Sequence, residues 1–403
     1  MFFFLLYIVA IVLCGSVNLG PVSLRVMATC FMTVWLIVTN KFKYSNPRID
    51  VSYIWIYIVF SACMGYTLLL NGEFSEFEYL KKFLAFNFVS IISFWSINRF
   101  IGNVNQLKSL IMTLLIIIFV NNIVTIMQYN GDPLGWAIGY IFSDIDKSMG
   151  KLNGHDSLLG ISATPGVFGD VVKNALYIAV ITPLSFSLMR RNAHFYTKIF
   201  SLLVVSSSFV AAFMTQQRAA FALILLNLII YIFIKFKNSP LVIFSIFIIT
   251  LLSSLLIVDF SPQIELGRLA DSTDIGRERL SSQAIDFIIT HPLLGGPVSF
   301  LRRTGLPAHN LILDSYIYSG FLGFVIMMIL FCKTTLKSSK NIVRVFYRGT
   351  QSNLIIFCSI AVLWAMAYGL FHNTSFLAGE VVVFILLAIM LKAEKINYLS
   401  RYD

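Results

Sequence analysis

The residues best suited to chemistry are five arginines: Arg218 in MTQQRAAF, Arg277 and Arg279 in DIGRERL, and Arg302 and Arg303 in FLRRTG. A guanidinium stays charged at every relevant pH and meets phosphate oxygens with two parallel hydrogen bonds. One arginine at the end of an apolar run is also what a snorkelling cap looks like. Five on the same side of the chain point instead to a phosphate-bearing ligand beside a bilayer. His309 follows in PAHNLILDSYIYSGFLG. With an ordinary pKa of about 6.5, an imidazole there could take a proton at neutral pH, or simply hydrogen-bond a loop carbonyl. Asn310 and Asp314 are four apart and His309 and Tyr316 seven apart, so two polar stripes run down the start of a helix. Asp314 is expensive to bury in an apolar run, which makes it a functional candidate, although Arg25 or Lys173 could also pair with it. Asp144-Ile145-Asp146 has the carboxylate pattern of a cation site. Lys147 follows it, and the arginines already compensate phosphate charge, so no metal and no cofactor is expected.

The elements that must position these groups are membrane helices. The 403 residues are 58% hydrophobic and 12% charged, whereas a soluble domain needs roughly 25% charged residues for its polar skin. Apolar runs predict twelve spans, near 1–16, 20–39, 51–70, 83–97, 109–128, 166–189, 197–215, 219–234, 241–259, 310–332, 353–371 and 376–391. The fold class is therefore an all-α polytopic membrane protein, one integral membrane domain over 1–403. The first run lacks a basic leading segment and an A-x-A cleavage site, so it reads as a helix.

Lys and Arg stay on the cytoplasmic side, and one set of loops carries most of them, including Lys333, Lys337, Lys340 and Arg344, against Asp50, Glu394 and Asp403 alone. Both termini are then cytoplasmic, and the five arginines face out. The net charge of +11 is spread over short inner loops, which makes it a topology signal with some attraction to anionic lipid and argues against nucleic acid as a partner. Cys14, Cys30, Cys63, Cys332 and Cys358 all lie in or beside spans, so neither a disulfide nor a zinc site is expected.

Two outer segments, 129–165 and 260–309, exceed ordinary connections. A short helix is expected around Trp136 to Ile141. A second, amphipathic helix is expected where Ala284, Ile285, Ile288 and Ile289 recur at helical spacing, lying on the membrane surface and ending before Pro292.

Taken in order, Gln217-Arg218 at the head of a span, Gly276-Arg277, HPLLGG at 291–296, then His309-Asn310 and the pair Gly320 and Gly323 resemble the signature of bacterial O-antigen polymerases and O-antigen ligases. Gln216-Gln217 and Ser281 depart from that family's usual residues at their places. The resemblance implies glycosyl transfer at the periplasmic face of the inner membrane from an undecaprenyl-pyrophosphate-linked oligosaccharide. It implies that Arg218 and Arg277 stabilise the departing diphosphate and that His309 activates the acceptor hydroxyl. Arg279, Arg302, Arg303, Asn310 and Tyr316 would help to hold substrate. Membrane lipid, a chain-length regulator and a flippase are the partners it implies. A general likeness of the Phe-rich chain and its GPVSLR segment favours the polymerase; a ligase would instead deliver the glycan to lipid A-core. A transporter of lipid-linked glycan is the reading from another class. It would be expected to carry charges along the middle of its spans, where only Arg25, Asp170, Lys173, Asp314 and Glu380 lie in or near them.

Overall fold

Inside hydrocarbon the backbone has no water to satisfy it, so a long apolar run must close its own i→i−4 hydrogen bonds. The computed structural model describes residues 1–14, 17–19, 22–39, 50–72, 77–142, 164–189, 193–215, 217–236, 275–305, 308, 310–348, 353–371 and 380–399. Its regular elements are helices, apart from a two-residue antiparallel ladder of Asn18–Leu19 (β1) and Val22–Ser23 (β2). Among the described residues six segments are long and apolar enough to cross a membrane: Ser52–Leu70, Val104–Tyr129, Val171–Leu188, Phe195–Met214, Leu311–Arg344 and Asn353–Leu370. The chain is an all-helical membrane protein. The predicted span at 241–259 lies outside the described residues.

Two compact units make up the chain, 1–114 with 274–403, and 115–273. The first holds α1 (Phe2–Leu13), α2 (Leu24–Val38), α3 (Ser52–Leu70), α4 (Phe77–Phe100), the start of α5 (Val104–Tyr129), α11 (Ile275–Thr290), α12 (Pro297–Thr304), α13 (Leu311–Arg348), α14 (Asn353–Phe371) and α15 (Val381–Leu399). In this unit α13 packs along α3 and α14, α15 along α4 and α14, and α2 along α1 and α4. Lipid tails are as apolar as leucine, so close packing and polar links must hold helices together. Phe4 and Trp35 both stack on Phe100, at 5.1 and 4.9 Å. Tyr7 shares a 3.0 Å hydrogen bond with Ser93, and Asn341 Nδ2 donates to Ser359 Oγ at 3.3 Å.

The helix α13 runs 38 residues, well past the predicted end at 332. The reason lies in its charged continuation. Lys333 reaches Asp50 at 3.3 Å, donates to Ser52 Oγ and sits 4.4 Å over the Tyr53 ring, while Lys337 meets Glu394 at 2.7 Å. All four charges belong to the loop set that the sequence assigns to one side.

The second unit holds the rest of α5 with α6 (Pro133–Phe142), α7 (Val171–Ile181), α8 (Pro183–Leu188), α9 (Phe195–Met214) and α10 (Arg218–Phe236). Helix α6 covers the stretch around Trp136 where the sequence predicts one. The predicted span at 166–189 divides: residues 164–170 are a loop, Asp170 caps α7 by accepting the Lys173 N–H at 2.7 Å, and Pro183 opens α8. A buried amide network holds that loop. Asn121 accepts the Val167 N–H at 3.0 Å and donates to Asn174 Oδ1 at 2.7 Å. Asn174 Nδ2 donates to the Thr164 carbonyl at 3.0 Å and to Thr125 Oγ1 at 3.1 Å. Gln128 binds both the N–H and the C=O of Gly166, at 2.9 and 3.1 Å.

Candidate functional site

The first unit gathers the motif-bearing segments 275–305, 308 and 310–323 around a break in α13. Gly320 has φ 66° and ψ −171°, a left-handed conformation that interrupts the helix. In an unbroken helix the Phe321 N–H would donate to the Ile317 carbonyl. Both groups are taken instead by the segment between α11 and α12: Phe321 N–H donates to Leu293 O at 3.1 Å, and Gly296 N–H donates to Ile317 O at 2.9 Å. One lost helical bond is thus replaced by two from a loop, which is how a broken helix avoids orphaned polar groups at membrane depth. The loop backbone must come very close to do this. A Cβ on Gly320 would lie 2.3 Å from Leu293 O, and one on Gly295 2.4 Å from Ile317 O. Asn71, the C-cap of α3, donates to Gly295 O at 3.3 Å, and Tyr316 OH donates to Pro292 O.

Two glycines three apart, such as Gly320 and Gly323, lie near one face of a helix and would let another helix pack closely against it. Gly323 fits that reading, since its Cβ would meet Cys63 Cβ of α3 at 3.1 Å. Gly320 does not, because what approaches it is a loop backbone 26 to 27 residues earlier.

Phe287 and Phe300 form the core that holds α11 against α12, with rings 5.4 Å apart and with Ala284, Ala308 and Ile317 packed around them. His291 stacks on Phe287 at 4.2 Å, and its Nδ1 lies 3.1 Å from the Phe287 carbonyl. The predicted apolar face of α11 divides in two. Ala284 is buried and Ile288 packs on the core, while Ile285 and Ile289 are exposed. Residues four apart follow one stripe of a helix, and this second stripe faces away from the protein core.

Arg279 on α11 and Arg302 and Arg303 in the last turn of α12 are exposed. Arg277 lies in the first turn of α11 and Arg218 opens α10 in the other unit; the side chains of both lie outside the described part of the structure, as does His309. Asn310 and Tyr316 are bound into the scaffold. Asn310 Oδ1 caps α13 by accepting the Ile312 N–H at 2.9 Å, and its Nδ2 donates to the Leu370 carbonyl of α14 at 2.9 Å. Tyr316 is occupied by Pro292. Asp314, which the sequence left between a functional role and pairing with Arg25 or Lys173, is fully buried and accepts the N–H groups of Ala308 at 2.9 Å and Asn310 at 3.2 Å. Asp144 and Asp146 lie outside the described residues, and among the described residues no group of three His, Cys, Asp or Glu side chains could hold a metal.

Sequence reasoning passed over Asn71, Phe287 and the backbone of Leu293 to Gly296. The signals for two of these were present: Asn71-Gly72 is a helix-ending pair, and Gly295-Gly296 behind Pro292 marks a backbone that needs positive φ. No protein-family model matches the chain, and no curated protein matches it at a significant level.

Proposed function

We propose that the protein is a surface-polysaccharide polymerase of the O-antigen type, a glycosyltransferase of the bacterial inner membrane with both termini cytoplasmic and its site on the periplasmic side. The observation that carries this reading is the docking of the His291–Gly296 loop into the Gly320 break. Within the first unit the pieces of the motif string from Gly276 to Gly323 become one scaffold, in which the arginine-bearing helices α11 and α12 meet the N-terminal part of α13. The fate of two of the three carboxylates near the spans weighs against a transport pathway: Asp170 and Asp314 are both bound to backbone N–H groups.

In the proposed reaction the acceptor sugar hydroxyl attacks the anomeric carbon of the lipid-linked glycan. A new glycosidic C–O bond forms, the bond to the pyrophosphate oxygen breaks, and undecaprenyl pyrophosphate leaves with the electron pair. The hydroxyl proton passes to His309. Charge develops on the departing diphosphate, where Arg218 and Arg277 act more strongly in the transition state than in the ground state. Arg279, Arg302 and Arg303 hold the phosphates, and no metal or cofactor takes part. Membrane lipid, a chain-length regulator and a flippase are the remaining partners of this reading.

The test is reconstitution. Purified protein with a synthetic undecaprenyl-pyrophosphate repeat unit should lengthen the glycan in detergent, where transport has no meaning. Transfer to lipid A-core without chain growth moves the reading to a ligase, and flipping in vesicles with neither reaction refutes the enzyme.

A further inference from the structure

Resting on the reading of His309 as the proton acceptor, we infer that Asp314 is a positioning residue that sets the chain on both sides of it. The two N–H groups held by the Asp314 carboxylate belong to Ala308 and Asn310, the chain neighbours of His309. One oxygen serves each: Oδ1 takes Ala308 and Oδ2 takes Asn310. The carboxylate is fully buried in the first turn of α13, where the helix dipole favours a negative charge. The Asn310 side chain fixes the same point from a second direction through the Leu370 carbonyl. Anchors on both chain neighbours are the support that a general base at this position would need at the reacting hydroxyl. Its two acceptor atoms face two backbone donors, which gives a buried intramembrane carboxylate a structural use.

The experiment uses the full-length protein and the glycan-lengthening assay. Asp314→Ala removes both acceptors, Asp314→Asn keeps one, and Asp314→Glu keeps the charge on a longer arm. Met327→Ala, a buried truncation further along α13, controls for stability. The expected result for Asp314→Ala is a fall in kcat of about 100-fold with KM little changed, the scale of a small misplacement at a reacting centre. Asp314→Asn should fall between it and the native protein, and Met327→Ala should stay within a few-fold. Independently of activity, hydrogen exchange at Ala308 and Asn310 should quicken in Asp314→Ala and not in Met327→Ala. In a His309→Ala background, Asp314→Ala should cost no further residual activity. Unchanged exchange at 308 and 310 overturns the clamp itself. Quickened exchange with native kcat, or a kcat no lower than that of Met327→Ala, overturns its catalytic role. Full activity of His309→Ala alone refutes the base assignment and the catalytic role that rests on it, while the exchange result still decides the clamp.

Discussion

Replacing Gly320 by alanine should release the His291–Gly296 loop from α13. The new Cβ would stand 2.3 Å from Leu293 O and 3.0 Å from Leu294 C, against an ordinary contact of 3.4 Å or more, and both obstacles are backbone rather than a flexible side-chain end. Its φ of 66° adds strain for any L side chain, of about 1–3 kcal/mol. The escape is to straighten the helix. Phe321 N–H then returns to Ile317 O, and the two loop hydrogen bonds are given up for one helical bond, a net loss of about 1 kcal/mol. The hydrogen bond lost on release is the same in both proteins, so the strain sets the change: the docked arrangement is disfavoured by about 1–3 kcal/mol more than in the native protein, or roughly 5- to 150-fold in its equilibrium with the released loop. Hydrogen exchange resolved at Gly296 and Phe321 measures it: Gly296 should lose protection on that scale, while Phe321 stays protected by its regained partner. Chain growth should fall in parallel, because α11 and α12 lose their anchor. Native protection at Gly296 in Gly320→Ala would refute the account of the break.

Other perturbations test separate parts. Arg302→Ala and Arg303→Ala should each raise KM for the lipid-pyrophosphate donor severalfold without lowering the melting temperature, since both side chains are exposed, and lysine should rescue only partly because a point charge lacks the bidentate fork. Asn174→Ala should destabilise the second unit by roughly 2–6 kcal/mol, because it strands Asn121 Nδ2 and the Thr164 carbonyl in the interior at about 1–3 kcal/mol each; thermal unfolding in detergent reads the cost. Partial burial pushes the Asp50 carboxyl up, but the hydrogen bonds from Ser52 and the Lys333 ammonium outweigh it and leave the group below its usual value. A folded-state pKa that is depressed stabilises above the unfolded value and loses that stability as pH falls through the folded one, so the Asp50 link should weaken below about pH 4. Its half-exposed position limits the effect to less than ~1 kcal/mol, and Asp50→Asn should remove that part of the acid dependence of unfolding.

Helices and their approximate places were legible in the sequence because apolar length is a local property. Runs of about 20 residues must close their own hydrogen bonds in lipid, and α3, α9 and α14 begin and end within a few residues of the predicted limits. Charge bias likewise grouped Lys333, Lys337, Asp50 and Glu394 on one side before the structure paired them. The motif residues were visible as types and spacings, but not their division of labour. Asn310, Tyr316 and Asp314 were all candidates for substrate or function by position, yet their partners are a helix end 60 residues away, a proline carbonyl 24 residues earlier and two amides of the adjoining turn. Gly320 carries the same lesson. Its sequence neighbours argue for an uninterrupted helix, and only the arrival of Leu293 and Gly296 makes the break cheaper than the continuous ladder. What the sequence by itself determined is therefore what each segment owes to its own composition: a helical membrane chain with a basic side and an arginine-rich string of motifs. What only the tertiary structure decided is where buried polar groups find their partners, because a backbone N–H or carbonyl must be satisfied by whatever the fold brings within 3 Å or so, and spacing along the chain does not say what that will be.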